Sequence, residues 1–175
     1  MSLTCIPTLP SSFIVKSAQC YNEIDEQRDV FESHRHHIFS VAYYMTGDER
    51  EAETILGSTF VQTFQQHSKP SIEMLDKSLM GELHRRLSLD PVPAAEAGNT
   101  SLGGRNVRRT DLEEALWQLP ARERLCFLLR DVEGYDASRI AGLLETTDAD
   151  VQRTVLSARL RIRLLLIEHR AIATA

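Results

Sequence analysis

The sequence has few cysteines, few aromatic residues and no long apolar run. Its three cysteines, Cys5, Cys20 and Cys126, form no CxxC pair, so neither a disulfide framework nor a thiolate zinc site is predicted. The longest apolar run near the C-terminus covers residues 164–167, far fewer than the roughly 20 residues that a membrane-spanning helix requires. The N-terminus lacks the basic stretch of a secretion signal. We therefore expect a cytoplasmic protein without a membrane anchor.

An excess of positive charge is also missing. The 175 residues include 20 basic and 25 acidic side chains, which gives a formal net charge of −5 at pH 7. Residues 1–90 and 110–175 each carry more acidic than basic residues. The whole molecule is therefore not expected to be attracted to a polyanion, and any contact with nucleic acid must be local.

Helical periodicity is present in two stretches of the chain, and no segment alternates in the manner of a strand. These patterns predict an all-α fold of two small helical domains joined by a flexible linker. Residues 1–22, which have two prolines and no periodicity, are interpreted as a flexible arm. Residues 23–89 contain three amphipathic helices, and residues 90–109 have the proline, glycine and small residues of a linker. Residues 110–175 are predicted to form a four-helix unit.

Capping residues mark the predicted helix ends. A short polar side chain that can accept a hydrogen bond from an unpaired backbone N–H stands at five of the predicted helix starts, at Asp48, Ser71, Thr110, Asp136 and Thr147. Gly47 and Gly134 follow helix ends and suit a left-handed C-cap.

The last two predicted helices have the pattern of a helix-turn-helix. A short helix after Tyr135 is followed by a tight turn and a long helix that carries Arg153, Arg159, Arg161 and Arg163. In such a motif the second helix enters the major groove, where arginines bind phosphates or guanine edges. Helical pairs of this shape also occur without DNA, so a solvated helix face is the competing interpretation.

Two stretches together resemble one known family. Residues 112–166 carry Leu119-Pro120, the arginine of ARER, the run CFLLR, Glu133-Gly134 before an aromatic residue, the segment IAGLL and Ala158-Arg159. Residues 30–66 carry a Phe-Glu start, a helix ending near Thr46-Gly47-Asp48, and then Ala52-Glu53, Leu56 and Phe60. These motifs resemble region 4 and region 2 of the two-domain bacterial sigma factors of the extracytoplasmic-function family, in the family order.

This resemblance implies a dissociable subunit that binds core RNA polymerase and promoter DNA, with no catalytic residue, metal or other cofactor. It assigns the helix over residues 48–67 to polymerase docking, through Glu53, Thr54, Leu56, Gly57, Ser58 and Phe60. It assigns the later part of that helix and the following loop to the minus-10 element, and the last helix to the minus-35 element. The candidate DNA-binding residues are Arg139, Gln152, Arg153, Thr154, Ser157, Arg159, Arg161 and Arg163. An anti-sigma factor and a second copy of the chain are further candidate partners, and a membrane is not.

Other hypotheses stay open at this point. Thr54, Gly57 and Ser58 stand where the family places polar docking contacts, so a diverged sigma-like protein that acts as a regulatory protein-interaction module, without promoter activity, is the alternative. A repressor that does not contact polymerase is a third hypothesis, against which the region 2 resemblance argues. We also consider autoinhibition, in which the acidic N-terminal module docks on the arginine face of the last helix.

The remaining polar and aromatic candidates have simpler interpretations. His34, His36 and His37 form a cluster, but no neighbouring ligand completes the three or four that zinc requires, so no metal site is predicted. Packing positions are predicted for Trp117, Tyr135 and Cys126.

Overall fold

A computed structural model of the chain describes residues 11–94 and 108–173, and the side-chain environments of residues 24–94 and 108–167. The helices are α1 (Ser11–Thr46), α2 (Glu49–Gln66), α3 (Ile72–Arg86), α4 (Arg109–Gln118), α5 (Ala121–Phe127) continued by a π-helical turn (Leu128–Val132), α6 (Ala137–Leu143) and α7 (Asp148–Ala173). No strand occurs in these ranges, which confirms the all-α class. None of the helices in the described ranges combines the length and apolarity needed to cross a bilayer.

Most of the predicted capping residues cap helix ends in the structure. The side chains of Asp48, Asp136 and Thr147 accept hydrogen bonds from the backbone N–H three residues later, at 2.9, 2.7 and 3.2 Å. Gly47 and Gly134 have φ of +72° and +75° after the ends of α1 and the π-helical turn. These are left-handed conformations that glycine adopts without steric penalty.

Two predicted helix starts differ in the structure, and a third lacks the predicted capping bond. α1 begins at Ser11, so the flexible arm is wrong for residues 11–22, while residues 1–10 lie outside the described ranges. The helix was missed because this segment lacks a one-sided apolar pattern. Thr110 lies inside α4, whose first turn is capped by the Asp111 carboxylate accepting from the backbone N–H of Arg108 at 3.3 Å. The side chain of Ser71 makes no capping bond.

The N-terminal bundle, α1–α3, forms around a continuous apolar core. Its fully buried side chains include Ile38, Val41 and Met45 of α1, Ile55 and Phe60 of α2, and Leu75, Leu79 and Leu83 of α3. Burial of each such side chain contributes roughly 1.5–3 kcal/mol. Phe60 packs edge-on against Phe31 with ring centroids 4.9 Å apart, which fixes α2 on α1.

The C-terminal bundle, α4–α7, packs both ends of α7 against its neighbours. Near its start, α7 contributes Val151 and Val155 to the same buried cluster, which continues from the N-terminal bundle through Leu125, Leu129 and Ile140. Farther along, Ala158, Ile162 and Leu166 pack against Ala115, Leu116 and Leu119 of α4. The spacing of the α7 residues by steps of three and four is the buried seam that the sequence predicts.

The two bundles pack on each other along a seam. α1 contacts α4, α5 and the π-helical turn, and α3 contacts α6. At one end of the seam the Arg124 guanidinium donates to the carbonyl of Met45 at 2.8 Å and to that of Trp117 at 2.7 Å. Arg124 thereby caps the C-terminal carbonyls of α1 and α4 together. The Trp117 ring lies edge-on to Tyr43 and covers Gly47.

Candidate nucleic-acid interface and the seam between the bundles

The helix-turn-helix consists of α6, a four-residue turn and α7. Ile140 and Ala141 of α6 are buried with Val151 of α7, which sets the angle between the two helices. In the turn, the backbone N–H of Thr146 donates to the carbonyl of Ala141 at 3.0 Å, the closing bond of a Schellman motif. Glu145 supplies the left-handed residue of this motif, with φ of +51°.

The outer face of α7 is exposed and mostly polar. Gln152, Arg153, Arg159 and Arg163 are exposed along it, and Leu156 is 58% exposed at its centre. Exposed residues at this spacing occupy one side of a helix and can enter a groove together. This face is the part of the chain that best fits direct contact with DNA.

Three of the predicted DNA-binding residues near the start of α7 lie at or beside this face. Gln152 is exposed, and Arg153 is exposed with its guanidinium 3.0 Å from the Asp150 carboxylate in the same turn. Thr154 is half-buried and donates its hydroxyl hydrogen to the Asp150 carbonyl at 2.7 Å. The hydrogen bond from Thr147, together with the charge of Arg153, lowers the pKa of Asp150. Asp150 therefore keeps its charge and competes with phosphate for Arg153.

Ser157 and Arg161 turn inward instead, toward a buried acid of α5. Ser157 is 3% exposed and donates to the Glu123 carboxylate at 2.8 Å, so its prediction as a DNA-binding surface residue is wrong. Arg161 donates to the same carboxylate at 3.1 Å and to the carbonyl of Pro93 at 2.7 Å. Glu123 is 1% exposed. A buried carboxylate requires such partners, and these bonds tie α7 to α5 and to the residues after α3.

Arg159 forms a bidentate pair with Asp131 of the π-helical turn. Its Nε and Nη2 donate to the two carboxylate oxygens at 2.8 and 2.6 Å, and this hydrogen bonding raises the pKa of Arg159. The Asp131 carboxylate thus takes the position in which a phosphate would accept hydrogen bonds from both guanidinium nitrogens. Arg159 must leave Asp131 before it can bind DNA with both nitrogens.

A cavity of about 370 Å³ separates the residues after α3 from α7. Pro91 and Pro93 line one side, and Arg153 and Thr154 line the other. Arg122 donates to the carbonyl of Leu89 at 3.2 Å, which ties this part of the chain to α5.

The predicted polymerase contacts on α2 divide by burial. Glu53, Thr54 and Gly57 are exposed, and Leu56 and Ser58 are half-buried. Phe60 is 3% exposed inside the N-terminal bundle, so its prediction as a contact residue is wrong, and it supports the helix from below. A Cβ at Gly57 would meet no atom within 4 Å, so packing within the chain does not require glycine there.

A polar cluster bridges the bundles midway along the seam. The Asp76 carboxylate, on α3, is 1% exposed. It accepts hydrogen bonds from Arg139 at 2.7 Å and from the Tyr135 hydroxyl at 3.2 Å, and its Oδ1 lies 3.2 Å from His37 Nε2. His37 Nδ1 lies 2.7 Å from the Glu133 carboxylate. The Arg139 guanidinium stacks on the Tyr135 ring, 3.8 Å from its centroid. Arg139, predicted to bind DNA, is thus held by the N-terminal bundle.

Burial and hydrogen bonding act in opposite directions on the charges of this cluster. Burial alone would lower the pKa of His37, but the hydrogen bonds to Asp76 and Glu133 outweigh it and raise that pKa. Burial alone would raise the pKa of Asp76, but hydrogen bonds from His37, Arg139 and Tyr135 outweigh it and lower that pKa. The geometry is that of an imidazolium between two carboxylates.

The sequence gives little indication that Asp76 and Glu123 are buried. Each acid stands next to the apolar stripe of its own helix, where an exposed and a buried acid look alike. Each is buried only because partners distant in sequence fold onto it. In the described part of the chain, no group of three or more His, Cys, Asp or Glu side chains is arranged to hold a metal ion.

Three comparisons with known proteins agree with this architecture. Residues 109–162 match the family model described as sigma-70, region 4. The extracytoplasmic-function RNA polymerase sigma factor SigE of Mycolicibacterium smegmatis is 23% identical over 158 residues, which cover 81% of this chain. The match spans 62% of the length of that curated relative. The fold is similar to that of the sigma factor RpoE from Bartonella quintana, solved in complex with the anti-sigma factor NepR. That similarity has a TM-score of 0.62 at 16% identity and covers 79% of this chain and 95% of the other.

Proposed function

We propose that this chain, a divergent member of the extracytoplasmic-function sigma factor family, is a transcription initiation protein that binds core RNA polymerase and promoter DNA. One observation carries the proposal. The segment that matches sigma-70 region 4 coincides with a helix-turn-helix whose second helix exposes a polar face. Its role is that of a binding subunit in the cytoplasm, without chemistry or a cofactor of its own.

The outer face of α7 is the proposed reader of duplex DNA. Gln152, Arg153 and Leu156 lie within about one turn of each other on this face. In the major groove a glutamine pairs with adenine, an arginine pairs with guanine, and an apolar side chain packs on the thymine methyl group. Arg163 lies two to three turns farther along, where contact with a phosphate is the more natural role.

We place the polymerase contact on α2, around its exposed residues Glu53, Thr54 and Gly57. Of these three residues only Glu53 and Thr54 have polar side chains. We therefore expect apolar contacts through Leu56 to contribute more of the binding energy than polar contacts do. The relative in the solved complex binds an anti-sigma factor, and we propose a partner of the same class for this chain.

Two assays test this function directly. Core RNA polymerase is titrated with the protein and resolved by size exclusion, and run-off transcription is measured from selected promoter fragments. We expect saturable binding and promoter-dependent transcripts. Arg153→Ala and Arg163→Ala are each expected to weaken promoter binding by about tenfold while leaving polymerase binding unchanged.

Arg35→Ala is the matched control, because Arg35 is an exposed arginine of α1, paired with Glu32 at 3.0 Å, and is not part of α7. It should leave both readouts at the wild-type level. Failure to bind core polymerase at saturating concentrations would overturn the proposal and favour the alternative of a regulatory protein-interaction module. If Arg153→Ala and Arg163→Ala bound the promoter as tightly as the Arg35→Ala control, α7 would not be the element that reads the DNA.

A further inference from the structure

The seam between the bundles is partly apolar, because one buried cluster includes side chains of both bundles, and partly polar. Its polar centre consists of Asp76 and His37 from the N-terminal bundle and Glu133, Tyr135 and Arg139 from the C-terminal bundle. We name these five residues the interbundle latch. Separating the bundles returns all of these groups to water together, so none is left buried without a partner.

The size of the closed molecule conflicts with the proposed engagement of two promoter elements. The minus-10 and minus-35 elements are about 25 base pairs apart by name, or roughly 85 Å along the duplex at 3.4 Å per base pair. A compact chain of this length has a radius of gyration of about 16 Å and therefore a diameter of about 40 Å. One closed molecule cannot reach both elements at once.

The chain between the bundles is long enough to resolve this conflict. The segment from residue 90 to residue 107 can extend to about 60 Å, which together with the bundles spans the distance between the elements. The seam must then separate, and Arg139 must release Asp76. The carbonyl contacts of Arg122 and Arg161 to residues 89 and 93 must also break.

We propose that the interbundle latch, with Asp76 as its hub, keeps the free protein closed and must open before both promoter elements are engaged. The consequence for transcription rests on the proposed function, whereas the closed and open states belong to this chain alone. This contact differs from autoinhibition through the arginine face of α7. That face pairs with Asp131 and Glu123 of its own bundle, and the N-terminal bundle lies against α4, α5, the π-helical turn and α6.

The latch is tested on the full-length chain without polymerase or DNA. Asp76→Asn removes the charge that three donors share, and Tyr135→Phe removes one donor with little change in shape. Small-angle scattering should show the radius of gyration rising from about 16 Å toward about 25 Å in Asp76→Asn, with a smaller rise in Tyr135→Phe. Trp117, the only tryptophan of the chain, should show red-shifted emission because it leaves Tyr43 and Gly47.

Asp29→Asn is the matched control, since it makes the same chemical change at an exposed position of α1, two turns before His37. It should leave the radius of gyration and the emission spectrum unchanged. Circular dichroism establishes that each variant is folded, and Tyr135→Phe decides the matter if Asp76→Asn loses its helices. A folded Tyr135→Phe protein with wild-type dimensions and wild-type emission overturns the latch.

Binding to polymerase and promoter separates the latch from the proposed function. If the latch gates promoter engagement, the opened variants should bind a promoter–polymerase complex about tenfold more tightly, because a larger fraction of molecules is competent. Opening in scattering without any binding by wild type or variants would support the latch and overturn the proposed function. Opening with unchanged affinity would overturn the gating role.

Discussion

At the scale of single residues, Cys126 shows how burial controls reactivity. The thiol is 1% exposed within α5, and burial raises its pKa to about 11. Because the thiolate is the reactive form, the native thiol should react with a disulfide reagent at pH 8 at least about 100-fold more slowly than in denaturant. The measurement uses a variant with Cys5 and Cys20 replaced by serine, so that one thiol remains.

Comparable rates in native and denatured protein would contradict this prediction and show that α5 opens readily. Gly134→Ala in the same protein provides a positive comparison. It strains the turn after the π-helical segment and should raise the rate at which the native Cys126 thiol reacts.

Residues in the candidate site were predictable from the sequence when the helix geometry alone decides their position. The exposure of Gln152 and Arg153 was predictable from the periodicity of α7, because the apolar residues spaced by three and four occupy the opposite side of the helix. Ser157 does not follow, because its burial depends on Glu123, a partner 34 positions earlier in the chain. Asp76 likewise became a hub only through residues on α1 and α6. These are tertiary contacts between residues far apart in the sequence, and they produce no periodic sequence pattern from which they could be predicted.

At the scale of secondary-structure elements, the turn between α6 and α7 carries a strained residue. Glu145 has φ of +51°, a left-handed conformation that costs a residue with a Cβ about 1 kcal/mol. Glu145→Gly should therefore raise the free energy of unfolding by up to about 1 kcal/mol, reduced by the greater freedom of glycine in the unfolded chain. Urea denaturation of the two proteins measures the difference.

Gly134→Ala provides the opposite case for comparison. Gly134 has φ of +75°, and a Cβ there would meet no atom within 4 Å, so the penalty is conformational and not a clash. This variant should lose about 1 kcal/mol. A loss of stability in Glu145→Gly would refute the strain and indicate that the Glu145 side chain stabilises the turn.

Helix existence was predictable because caps and apolar stripes are local signals, and the caps at Asp48, Asp136 and Thr147 form as predicted. The exact beginning and end of each helix were less predictable. The start of α1 at Ser11 and the π-helical continuation of α5 have no distinct local signature.

At the scale of the whole molecule, composition and linker content predict two helical units, but they do not predict how the units meet. The seam depends on Arg124 reaching the ends of two helices and on Trp117 lying over Gly47. The domain boundaries themselves stay a prediction.

The charges of the interbundle latch make the closed state depend on pH. The titratable and charged groups that face His37 are Asp76 of α3, Glu133 and Tyr135 beside the π-helical turn, and Arg139 of α6, with exposed Glu73 near Arg139. Because the pKa of His37 is raised above 6.5 in the closed state, its stabilising contribution is complete below pH 6.5 and is lost as the pH rises through the raised value. Because the pKa of Asp76 is lowered below 3.8, its contribution is lost only when the pH falls through that lower value.

The closed form should therefore be favoured between the ordinary pKa values of the two groups, 3.8 and 6.5, and should open progressively on the alkaline side. Trp117 emission and the radius of gyration, followed across this range and into mildly alkaline solution, measure the transition. His37→Gln should abolish the pH dependence, because glutamine bonds to the carboxylates without titrating. His36→Gln, at an exposed position of the same helix, should retain it. If the wild-type protein opened toward acid within this window, or if His37→Gln kept the wild-type profile, His37 would not be the titrating member of the latch.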